Sequence, residues 1–225
     1  MKLTFTLPDQ SSLQAEIHTL VIAGWAGRDM AAIEHHIEEL EALGISRPSA
    51  VPLFYRVSAN QLSQAAQVQV LGEASSGEVE CFVFNAGGEL YVSIASDHTD
   101  RKLEAHSVAF SKQACVKPVG TTAWKLSDVA EYWDELVIRS WIEEDGLTRL
   151  YQEGPLASLR TPTDLIARFT EGSTQLPEGC GMTCGTVGAI GGIRAAASFT
   201  MELHDPRRQR CLRHQYVTQS LAEVA

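Results

Sequence analysis

The chain has 225 residues, 44% hydrophobic and 20% charged, which is ordinary for a globular domain able to bury a sizeable core. Its formal net charge of −10 argues against a nucleic-acid backbone or an anionic membrane as partner, while leaving room for a small anion if a bound cation inverts the local field. No apolar run approaches membrane-spanning length, the N-terminal residues reach a polar break too early for a secretory leader, and the 5 cysteines are odd in number, so the expectation is a cytoplasmic protein with reduced thiols.

Lys2 to Leu7 alternates and predicts a strand; Leu13 to Ala23 predicts a second, ending in the loop Gly24-Trp25-Ala26-Gly27. Asp29 is an N-cap for a helix running to Leu43, with Gly44 just past its end and Ile33, Ile37, Leu40 and Leu43 spaced along one face. Pro48 and Pro52 punctuate a connection, and Phe54 to Val57 is extended. Ser76 to Asp97 predicts a hairpin reversing at Gly87-Gly88. A short helix is expected from Asp100 to about Val108, and irregular chain from Cys115 to Trp124. Glu135 to Ile142 predicts a strand, Gly146 to Leu159 a turn plus strand, and Thr161-Pro162 the capped start of a short helix. Leu176 to Gly179 is a turn, Gly181 to Gly192 a glycine-rich loop, and Ser198 to Leu203 with Arg210 to Val217 a final strand pair. Many short strands with few helices give an α+β fold, mainly β.

Chemistry concentrates on the central hairpin. Glu78 and Glu80 lie two apart, so on a strand both carboxylates point to one face, and the return strand delivers Asp97 beside them. Three carboxylates suit a hard cation: Mg²⁺, Mn²⁺ or Ca²⁺. The alternative is a solvent-facing acidic strand, but Cys81-Phe82-Val83-Phe84 continues without alternation, as a buried strand does. Downstream, Arg101 and Lys112 could hold the oxygens of an acidic substrate. On the first helix, His36 and Glu39 sit one turn apart, as in a general-base dyad, and His35 with Glu38 has the same spacing. In the loop Cys184 to Gly192, backbone amides and Thr186 could cradle an anion. Cys180 and Cys184 read as buried small residues, and Arg207, Arg208, Arg210 and Arg213 as a solvated turn.

Taken in order, these pieces resemble the fumarylacetoacetate hydrolase superfamily. Its members carry an H-x-x-E helix, a Pro-rich segment with aromatic and basic residues, E-x-E, N-D-x-S-x-R-D, a lysine, and a P-x-G-D turn before a G-T loop. The matching stretches are His36 to Glu39, Pro52 to Arg56, Glu78-Val79-Glu80, Ser96 to Arg101, Lys112, Leu176 to Gly179, and Gly185-Thr186. The likeness extends over residues 20–220, leaving 1–19 as an N-terminal strand segment of a single catalytic domain spanning 1–225. It is similar to a small, functionally undefined branch with Gly191-Gly192-Ile193-Arg194 after the G-T loop. Ser76-Gly77 replaces the usual D-Y, Ser96 replaces an Asn, Lys102 replaces an Asp, and the interval from Glu80 to Asp97 is short for the family. The dyad also lies in an unusual setting, Gly24 to His36, where N-Y-x-x-H is common.

The resemblance implies a mixed β-roll or β-barrel core with short flanking helices, assembled as a homodimer. It implies Mg²⁺ or Mn²⁺ on Glu78, Glu80 and Asp97; substrate contacts from Arg101, Lys112, Gly185 and Thr186; and His36 with Glu39 activating water or shuttling a proton, Lys112 assisting. The implied reaction is hydrolysis of a C–C bond in a 2-oxo acid or acylpyruvate through a metal-stabilised enolate. Oxaloacetate-type decarboxylation and dienoate isomerisation or hydration are the alternatives within the superfamily; outside it stand a non-catalytic carboxylate-binding protein and an interaction protein that keeps only the fold.

Overall fold

The computed structural model describes residues 1–42 and 47–224, apart from the side chains of His36, Glu39 and Leu40. In chain order the elements are β1 (Lys2–Thr6), β2 (Ser12–Glu16), β3 (Thr19–Gly24), α1 (Met30–Ala42), β4 (Leu53–Val57), β5 (Leu62–Ser63), β6 (Gln67–Leu71) and β7 (Ser75–Ser76). The centre holds β8 (Val79–Ala86), β9 (Glu89–Ser96), β10 (Thr99–Asp100), α2 (Arg101–Glu104), α3 (Val108–Ala114), β11 (Lys117–Pro118) and β12 (Trp124–Lys125). Then follow β13 (Val137–Glu144), β14 (Leu147–Pro155), α4 (Pro162–Phe169), β15 (Cys180–Thr183), β16 (Ser198–Asp205) and β17 (Arg210–Leu221).

Two large sheets dominate. One has strand order β12-β9-β8-β15-β3-β4, the other β14-β13-β16-β17-β6. Neighbours are antiparallel except at β15–β3 and β17–β6. Among the described residues both sheets stay open, so the expected roll is present without a closed barrel.

Pleat explains how the layers meet. Val79, Cys81 and Val83 of β8 join Met201, Leu203 and Tyr216 of the second sheet in one core. Phe82 and Phe84, on the opposite face, join Leu3, Phe5 and Ile17 in another. The β1–β2 hairpin is therefore a cover for the first sheet's outer face, and β8 is buried on both sides, which is why its sequence does not alternate.

Several expectations change. The stretch Leu13 to Ala23 is two strands. At the break, Gly179 O accepts from both His18 N–H (2.9 Å) and Thr19 N–H (3.2 Å), and the chain passes from the β1–β2 hairpin into the large sheet. The helix expected from Asp100 splits into α2 and α3, because Ser107 starts a second N-cap by accepting from Phe110 N–H. The supposedly irregular Cys115 to Trp124 contains β11, and Gly181 to Thr183 belong to β15 rather than to a loop. Asp29 caps α1 as expected, accepting from Ala31 and Ala32 N–H groups, while Leu43 and Gly44 lie outside the described residues. Thr161 caps α4 with Pro162 at its first position. Among the described residues no helix is long and apolar enough to cross a membrane.

Candidate active site

The β8–β9 hairpin turns on Gly87 and Gly88, whose φ angles of 66° and 79° are those of a tight reversal that side chains resist. Glu178 locks the turn, its two oxygens accepting from the Gly87 and Gly88 N–H groups at 2.9 Å each. At the open end Val79 faces Ser96, and Asp97 N–H donates to Glu78 O at 3.0 Å, so Asp97 arrives directly across from Glu78. One carboxylate oxygen from each of Glu78, Glu80 and Asp97 can be chosen so that all lie within 4.8 Å of one another. The sequence-predicted triad is therefore brought together.

Asp97 is fully buried and ion-paired on both oxygens: Oδ2 with Lys112 and Oδ1 with Lys117, the latter at 2.8 Å. Burial alone would raise its carboxyl, but the two ammonium groups outweigh that and hold it well below the usual carboxylate range. Glu80 has no such partner. Burial, and then the Asp97 charge, push it up to about 8 against the pull of Lys112. A buried carboxyl raised by burial and by a neighbouring carboxylate fits a divalent cation, whose charge would favour its ionised form against both. The donor set is all oxygen, which favours Mg²⁺, Mn²⁺ or Ca²⁺.

Lys117 was missed in the sequence. Its signal is a lysine flanked by Val116, Pro118 and Val119, an apolar setting that demands a partner; Nζ also donates to His98 O at 2.6 Å. The two lysines divide the work by position. Lys117 lies behind Asp97, whereas Lys112, on α3, lines the cavity and has its ammonium 5.5 Å from the centre of the Tyr55 ring. Burial works against the Lys112 charge, but Asp97 prevails and its affinity for a proton is raised.

Arg101 lies beside the triad. Its guanidinium donates to Ser76 Oγ (2.7 Å), Glu104 Oε2 (2.7 Å) and Glu78 Oε1 (2.9 Å). The loop after β15 closes the other side. Gly185 N–H donates to Glu80 Oε2 at 2.8 Å, and Thr186 Oγ1 donates to Val79 O at 2.7 Å. Gly185 has a φ of 89°, and a Cβ there would come within 2.7 Å of Ala26 Cβ, so the residue type is fixed twice over.

Two supports carry no recognisable sequence signal. Gln152 on β14 accepts from Val79 N–H and Ser140 Oγ, and its Nε2 donates to Thr186 Oγ1 and Val187 O. It thereby fastens the G-T loop to the start of β8. On the other flank Tyr216 donates to Ser96 Oγ at 2.9 Å. Its oxygen thus receives Nδ1–H of His98, leaving Nε2 to accept from Ser75 Oγ. Burial, then Lys117 and Arg101, push His98 down to about 3, so the ring is neutral. Gly77 explains one departure from the family pattern. A Cβ there would lie 2.7 Å from both the Phe199 ring and Tyr216 Oη, so the aromatic pair occupies the space a side chain would need.

These groups border a cavity of about 900 Å³, whose lining includes Glu78, Glu80, Arg101, Lys112, Gly185 and Thr186. Trp25, Tyr55, Leu53 and Ile193 provide an apolar wall. His36 and Glu39 fall on α1, but their side chains lie outside the described residues; His35, on the same helix, is exposed.

A family model described as "Protein of unknown function (DUF2848)" matches residues 23–216. The chain belongs to this family. No curated protein matches it. Among solved structures, a DUF2848 chain of this sequence is similar to a protein of Oleispira antarctica assigned as a fumarylacetoacetate isomerase/hydrolase (14% identity, TM-score 0.66, covering 96% of this chain and 99% of that one). A Burkholderia cenocepacia protein assigned as a fumarylpyruvate hydrolase gives 18% identity and a TM-score of 0.65, covering 98% and 96%. A 2-keto-3-deoxyarabinonate dehydratase gives 18% identity and 0.61, covering 92% and 76%. At these identities the likeness concerns fold, and the DUF2848 chain has the fumarylacetoacetate hydrolase fold that its motif order implies.

Proposed function

We propose that this DUF2848 protein is a metal-dependent hydrolase that cleaves a C–C bond in a 2-oxo acid or acylpyruvate-type β-diketo acid. The observation that carries the reading is the oxygen triad of half-buried Glu78 with buried Glu80 and Asp97, Asp97 being backed by two lysines, beside a large cavity that Glu78 and Glu80 line. A divalent cation held by those three residues would supply Lewis acidity for the two chelating oxygens of a 2-oxo acid. Lys112 places a fixed positive charge on the cavity face, where negative charge develops as the bond breaks. Arg101 and the Gly185-Thr186 turn set the positions of Glu78 and Glu80. His36 with Glu39 is the proposed base that takes a proton from water. The hydroxyl then adds to the acyl carbonyl, the C–C bond breaks, and its electron pair passes to the methylene carbon of the pyruvate half. That carbon takes up the proton, giving a carboxylic acid and pyruvate.

Titration calorimetry with Mn²⁺, followed by oxalate as a chelating mimic, tests the site. One Mn²⁺ per chain and metal-dependent oxalate binding are expected, both lost in Glu80→Gln. Unchanged Mn²⁺ affinity in that variant would defeat the proposal. Turnover is tested on an acylpyruvate panel with wild type and His36→Ala; intact metal and oxalate binding without turnover would make the protein a carboxylate-binding one.

A further inference from the structure

The cavity holds far more than the chelating end of a 2-oxo acid, so its remaining charges select what the rest of the substrate carries. Three permanently cationic side chains line it among the described residues, and each is already matched. Arg47 pairs with Glu34 (2.5 Å) and Glu41 (2.8 Å), Lys112 with Asp97, and Arg101 with Glu78 and Glu104. Glu104 is a carboxylate the triad does not use. It sits across the Arg101 guanidinium from Glu78: Nη2 faces the triad and Nη1 is taken by Glu104 at 2.7 Å. A second carboxylate on a substrate would therefore meet a like charge, and among the described residues no unpaired guanidinium or ammonium lining the cavity would receive it.

We infer that Glu104 restricts the site to 2-oxo acids with one anionic end, the far end being uncharged and largely apolar. This rests on the oxo-acid reading of the triad and narrows it. Acylpyruvates with neutral acyl groups are substrates, and diacids of the oxaloacetate or fumarylpyruvate kind are excluded. The apolar surface of Trp25, Leu53 and Ile193 receives the neutral acyl group.

The test uses a matched pair of ligands, 2-oxohexanoate and 2-oxoadipate, which have the same chain length and differ in a terminal methyl against a carboxylate. Both are titrated into Mn²⁺-saturated wild type and Glu104→Gln, with oxalate as control. Wild type is expected to bind the neutral-tailed acid at least tenfold more tightly. Glu104→Gln removes the like charge and leaves Arg101 Nη1 facing only a neutral amide oxygen, so the gap should narrow at least threefold. Equal or tighter binding of the diacid by wild type would overturn the inference, and so would a gap unchanged in Glu104→Gln. If oxalate itself fails to bind with Mn²⁺ present, the oxo-acid reading fails, and the inference with it; oxalate binding without tail discrimination removes the inference alone.

Discussion

Asp97 shows how much one residue is asked to do. Both of its oxygens are paired with buried ammonium groups, so Asp97→Ala would strand two lysines rather than merely remove a ligand. Removing one partner of a buried pair costs about 3–5 kcal/mol, and urea unfolding should show a loss of that order. Glu80→Gln keeps the hydrogen bond from Gly185 N–H and should leave the unfolding midpoint much closer to wild type, making it the cleaner probe of metal binding. The triad's charges also predict pH behaviour. Glu80 must be ionised to ligate, and with its proton held up to about 8, Mn²⁺ affinity should fall as pH drops below 8, by about tenfold per unit for one displaced proton. Calorimetry between pH 6 and 9 reads this directly, and a flat profile would contradict it. Without metal the sign for folding is opposite: the native state holds a proton that the unfolded chain releases, so this contribution to stability is present below pH 4.5 and lost as pH rises to about 8. Asp97, depressed by its lysines, contributes stability above its unfolded pKa and loses it in acid. Strand alternation made the Glu78–Glu80 pairing legible in the sequence, whereas Lys117 was hidden because a lysine's partner lies in space and not at a fixed spacing.

Among the elements, the hairpin carries the three carboxylates and its surroundings hold them in place. Gly77 is one of the tight contacts among them. Gly77→Ala would drive a methyl group against the Phe199 ring and Tyr216 Oη. Overpacking of this kind costs about 1–3 kcal/mol, and because Glu78 is the next residue, Mn²⁺ affinity should fall with stability. Unchanged melting and unchanged Mn²⁺ affinity would show that the aromatic pair yields freely. The hairpin itself was legible from Gly87-Gly88 and the apolar run, and α1 and α4 from Asp29 and Thr161 as caps. The break at Ile17-His18 was not, because nothing local ends the apolar pattern; the carbonyl of Gly179, far away in sequence, does. The division into α2 and α3 could have been read from Ser107, a second capping residue within the predicted helix. Gln152 illustrates the opposite limit: an amide in an ordinary strand that matters only because four partners converge on it.

For the molecule as a whole, the order of short motifs was more informative than any one of them, since it anticipated a fold now seen at low sequence identity. Specificity was less legible, because Glu104 gains its meaning only from its contact with Arg101. A bound cation should stabilise the entire fold by linkage, by about 2.7 kcal/mol at a free concentration 100 times the dissociation constant. Thermal melts with and without Mn²⁺ check this, and no shift at saturating Mn²⁺ would mean that native and unfolded chains bind it equally.

The reach of β17 into the hairpin has a consequence for biosynthesis. The three carboxylates are encoded close together and emerge from the ribosome early, whereas Gly185 arrives much later and Tyr216, which completes the Ser96–His98 corner, comes on the last strand. Arg101, Lys112 and Lys117 follow soon after and can pair with Glu78 and Asp97, but Glu80 waits for the Gly185 N–H. Because domains fold as units, the site is complete only when the last strand is made. If the triad holds a cation as proposed, its capture would be a late event, timed by translation of β17, and a nascent chain halted before that strand should retain Mn²⁺ poorly.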